Sequence, residues 1–73
     1  MTSPTAEDWQ STCAVRLRIL AAEMENLGLD MDYYGGFHPM SQQGRELIGA
    51  AAIMKSWALD IQIELAERKH QND

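Results

Sequence analysis

Between Gln42 and Lys69 the chain reads QQGRELIGAAAIMKSWALDIQIELAERK, with no proline and no cluster of turn-forming residues. Good helix formers dominate this stretch, so a long helix is expected. Leu47, Ala51, Met54, Ala58, Ile61 and Leu65 step by four and three and so share one face. Ile48, Ala52, Leu59, Ile63 and Ala66 widen that face, and Ala50, Ile53 and Trp57 lie on its other flank. Only a narrow strip through Glu46, Gly49, Ser56, Asp60, Glu64 and Glu67 suits water. A helix that is apolar on most sides expects neighbours on most sides, and a chain of 73 residues is too short to supply them alone. The sequence therefore argues for an assembly, with Leu47, Ala51, Met54, Ala58, Ile61 and Leu65 as the expected dimer core.

At this length a single core is marginal and is usually reinforced by disulfides, metals or oligomerisation. Cys13 is the only cysteine, so an internal disulfide is excluded, and no Cys/His spacing resembles a metal site. No cofactor is implied, and oligomerisation remains as the reinforcing device. Cys13 itself reads as a small buried apolar residue, with an inter-subunit disulfide as the alternative. No basic start followed by an apolar run marks a secretion signal, and no stretch approaches the roughly 20 apolar residues of a membrane span. The expected setting is soluble and cytoplasmic. The net charge is −5, and the six Lys and Arg residues are scattered. This argues against direct nucleic-acid binding, which draws its affinity from cations on phosphates, and suits contact with a basic face of another protein.

Along the chain, Met1 to Thr5 reads as a lead-in, with Ser3 or Thr5 as a cap and Pro4 in the opening turn. A first helix is expected from about Pro4 to Leu27, with Trp9, Cys13, Leu17, Leu20, Met24 and Leu27 on one face. The run Asn26-Leu27-Gly28-Leu29 predicts a left-handed helix stop at Gly28. Residues 28–40 then form a loop of about twelve residues, longer than most connections between bundle helices and unusually apolar. Ser41 is expected to cap a second helix running to about Arg68 or Lys69. The fold class is all-α: one antiparallel helix-loop-helix hairpin over residues 1–73, with helices of roughly 35 and 40 Å. A two-fold homodimer would complete a four-helix arrangement. Gly49-Ala50-Ala51-Ala52 either marks where two copies of the second helix cross or simply favours helix; both readings stay open.

No catalytic set emerges. His38 and His70 are the only histidines, one in the loop and one near the chain end, and Asp60 and Glu64 read as a solvated strip with Arg68 beside Glu64. Gly35-Gly36 precedes a proline and follows no strand, unlike a phosphate-binding loop. An enzyme is not expected. A small helical enzyme or ligand-binding dimer is the alternative of another class, and a pocket lined by Arg16, Arg45 or Lys55 would mark it. Two regions remain for a protein partner. Tyr33, Tyr34 and Phe37 offer large rigid anchors in the loop, unless they fold back to plug the end of the helical pair. Val15 and Ile19, with Ala22, form an apolar stripe on the far side of the first helix, for a second subunit or an outside protein to cover.

The segments YYGGFHPM and GRELIGAAAIMKSWALDIQIEL, within a stretch from about Trp9 to Lys69, resemble small accessory proteins of bacteriophages. Among these the chain is most similar to the phage-encoded quorum-sensing anti-activators. The resemblance implies a helical dimer without catalytic residues, acting in the bacterial host cytoplasm. It also implies inhibition by surface occlusion of a LuxR-type transcriptional regulator and a pilus-assembly ATPase. Phage anti-CRISPR proteins share the same gross features and give the alternative target.

Overall fold

The computed structural model describes residues 6–71, except for the side chains of residues 7 and 69–71. Two helices make up this part of the chain: α1, Ala6–Gly35, and α2, Pro39–Gln71. They lie antiparallel as a hairpin, tied along its length by Asp32 with Arg45, Glu25 with Lys55, and Gln10 with Arg68. The expected caps at Ser3 and Thr5 fall outside the described residues. No described helix is long and apolar enough to cross a membrane.

The helices meet along small side chains. Ala14, Ala21 and Gly28 on α1 and Gly44, Ala51 and Ala58 on α2 recur every seven residues, and all six are buried. Seven residues make nearly two helical turns, so each set returns to one side of its helix. With nothing larger than a methyl group on the seam, the backbones approach closely. A Cβ placed on Gly28 would lie 2.6 Å from the Gly44 carbonyl oxygen, and one on Gly44 would lie 2.5 Å from the Gly28 oxygen.

This seam corrects one expectation and gives residues of two others a place within the chain. Gly28 does not end α1: it sits inside the helix, and its missing side chain makes room for α2 rather than for a left-handed turn. Ala51 and Ala58, expected in a dimer core, are fully buried between the two helices of one chain. Within one chain, close approach falls at Gly28 and Gly44, whereas Gly49 is exposed and has nothing within 4 Å of a Cβ placed on it.

The connection is also far shorter than the expected loop over residues 28–40. Tyr33 and Tyr34 belong to the last turn of α1, and only Gly36, Phe37 and His38 lie between the helices. Gly36 turns the chain with a φ of 54°, a conformation that side-chain-bearing residues resist. The His38 amide donates to the Gly35 carbonyl at 2.8 Å. His38, not Ser41, caps α2: its Nδ1 accepts from the Met40 amide at 3.0 Å, and its carbonyl accepts from the Ser41 amide at 3.0 Å. Pro39 then occupies the first helical position, where its missing N–H costs nothing.

The Cα trace measures 55 × 28 × 12 Å, a single layer of two helices. Its two broad faces differ. Residues three after each seam position fall on one face: Leu17, Met24 and Met31 from α1, and Leu47, Met54 and Ile61 from α2, all half-buried. Residues four after each seam position fall on the other: Arg18, Glu25 and Asp32 from α1, and Ile48, Lys55 and Gln62 from α2. No large side chain is fully buried anywhere among the described residues. Burying a Leu or Met side chain completely stabilises a fold by about 1.5–3 kcal/mol, and a lone hairpin collects only part of that at each position.

Candidate interaction surfaces

The turn is a rigid mount for aromatic side chains. Asp32, one turn before the end of α1, accepts a hydrogen bond from the Ser41 hydroxyl at 2.7 Å and one from Arg45 Nε at 3.0 Å. The Ser41 hydrogen bond, followed by that of Arg45, holds the Asp32 carboxyl below its ordinary value of 3.8, against a smaller opposing effect of desolvation. Ser41 is itself buried against Gly35, where a Cβ would come within 2.6 Å of the Ser41 amide nitrogen. A clasp of three side chains and one glycine thus joins the last turn of α1 to the first of α2.

Beyond this clasp the aromatic residues project into water. Phe37 is fully exposed, and Tyr33 and Tyr34 are 80% and 77% exposed. The two tyrosine rings meet edge to face, with centroids 4.8 Å apart. None of the three folds back to close the end of the helical pair, the other arrangement open to them.

The Val15 and Ile19 stripe lies on the broad face that carries the charged row. With Arg18, Ala22, Lys55, Leu59 and Gln62 it lines an open groove of about 730 Å³ between the helices. Lys55 forms an ion pair with Glu25, whereas Arg18 has no ion-pair partner among the described residues. On the opposite face Trp9, Cys13, Arg16, Leu17 and Leu20 line a shallower and more apolar hollow. Leu20, Leu27 and Trp57, each six residues after a seam alanine, are about half exposed along the edges of this face.

The basic residues considered for a ligand pocket do not converge. Arg16 borders the hollow, Lys55 borders the groove, and Arg45 is engaged with Asp32 near the turn. Glu64 and Arg68 pair at 2.6 Å, and Arg68 also reaches Gln10 across the seam at 2.9 Å. Of the expected dimer core, Leu47, Met54, Ile61 and Leu65 remain half-buried against α1. The six-position apolar row of one face was missed as a unit; its signal was the offset of three from a seven-residue repeat of small residues.

No protein-family model, curated protein or solved structure matches the chain.

Proposed function

We propose that the chain is a non-enzymatic interaction module that works as a homodimer and inhibits another protein by covering part of its surface. The observation that carries this reading is the turn. Three aromatic side chains, two on the last turn of α1 and one in the connection, stand in water beside the Asp32, Ser41 and Arg45 clasp. Holding large apolar rings in solvent brings a free chain no stability, whereas rigid aromatic side chains are effective anchors at protein interfaces. The acidic balance of the chain favours encounter with a basic rim around the partner's receiving pocket.

The sequence resemblance makes a LuxR-type transcriptional regulator the first target to test, with a pilus-assembly ATPase second. The measurement is calorimetric binding of the purified chain to each, with Tyr34→Ala and Phe37→Ala as comparison variants. Weakened binding with an unchanged melting temperature supports the reading. Variants that melt much earlier and bind normally once folded would show that the turn is structural.

A further inference from the structure

We infer that the second copy docks on the face carrying Leu17, Met24, Met31, Leu47, Met54 and Ile61, leaving the groove face outward. This rests on the homodimer reading above and adds to it which surface is shared.

The two faces of the layer differ in what covering them would involve. On the proposed face, all six positions three after the seam are apolar and half-buried, so a second copy would complete their burial, and the charges at its margin are Arg16 in the hollow and the Arg68–Glu64 pair at the far end of the row. On the opposite face, five of the six equivalent positions are polar or charged. Covering that face would take the Glu25–Lys55 pair and the Asp32–Arg45 pair out of water and leave Arg18 to be matched. Leu20, Leu27 and Trp57 extend the first face at its edges with exposed apolar surface.

The flat shape leaves the chain surplus surface, spread over both faces of the layer. A compact globule of this mass exposes about 4,500 Å², whereas the hairpin exposes 5851 Å². The excess, on the order of 1,300 Å², is larger than the about 800 Å² that each partner contributes to a standard interface. A copy related by a two-fold axis presents the same apolar rows, so apolar surface would meet apolar surface.

Both tryptophans border this face, since Trp9 lines its hollow and Trp57 occupies the position equivalent to Leu20 and Leu27. The native chain therefore carries its own reporter. The experiment measures mass by sedimentation and tryptophan emission over about 0.1–100 µM, a range that brackets micromolar association. A mass of twice 8.2 kDa, with emission moving to the red as dilution separates the copies, is expected. Leu20→Glu and Leu27→Glu are expected to weaken association by about tenfold or more, and Ile19→Glu and Leu59→Glu by less than about threefold. Circular dichroism checks that each variant is helical; should Leu20→Glu lose its helices, the native emission still decides. A single-chain mass at every concentration overturns the homodimer reading itself. A doubled mass with unchanging emission, or with Ile19→Glu and Leu59→Glu as the damaging changes, overturns only the choice of face.

Discussion

Gly28 and Gly44 meet backbone to backbone, so that a Cβ on either would come within 2.6 Å of the other's carbonyl oxygen. Such a contact leaves an added methyl group no room without separating the helices. Gly28→Ala and Gly44→Ala are each expected to destabilise the fold by about 1–3 kcal/mol, the usual range for overpacking. Gly49 is the internal control: it is helical, exposed and unobstructed. Gly49→Ala is expected to stabilise by about 0.5–1 kcal/mol, because alanine loses less backbone freedom. Urea unfolding of the three variants checks both signs together.

Ala51→Glu or Ala58→Glu places a carboxylate on the seam within one chain. The expected outcome is loss of the hairpin itself, seen as a collapse of helical ellipticity, because an unpaired buried charge is more costly than a small domain tolerates. A helical, cooperatively melting monomer from either change would instead assign these alanines to a contact between chains.

Asp32 gives the hairpin a defined acid response. Its carboxyl titrates below the ordinary 3.8 when folded, chiefly through Ser41 and then Arg45. The folded state therefore binds this proton less readily than the unfolded state. The resulting stabilisation is complete above the unfolded value and is lost as pH falls through the lower folded one. Asp32→Asn is expected to lower the melting temperature at pH 6, with the difference from wild type shrinking below about pH 4. A difference that stays constant from pH 6 to pH 2 would show that the charge is not what matters.

Phe37 touches nothing that its removal would leave empty. Phe37→Ala is expected to change stability by less than about 0.5 kcal/mol, as for most exposed positions. Its effect on partner binding is expected to exceed about 1 kcal/mol, the threshold that separates anchors from bystanders. Thermal melting and calorimetric binding of the same sample supply the two numbers.

The all-helical hairpin was legible from the three-and-four spacing of apolar residues, because that periodicity belongs to the helix itself. The extent of α1 was not. Asn26-Leu27-Gly28-Leu29 has the composition of a helix stop, and only Gly44 on the facing helix shows that Gly28 serves close approach. The same misreading turned the helical residues Asp30 to Gly35 into part of a long loop. Ala51 and Ala58 were visible as members of an apolar face, but alanine scores there much as leucine does. Their role in the seam follows from size, and size becomes decisive only when a matching set at Ala14, Ala21 and Gly28 lies opposite. The turn aromatics were picked out by residue type, while their projection into solvent depended on the Gly36 geometry and the Asp32 clasp.

The alignment of the two helices is fixed twice over. Small residues recur every seven positions on both, yet sliding α2 along α1 by one repeat would set Ala51 where Gly44 now meets Gly28, a contact with no room for a methyl group. At the tip, three residues and the Asp32 lock oppose the same slide. Lengthening the tip by seven residues would therefore leave the helices in their present register.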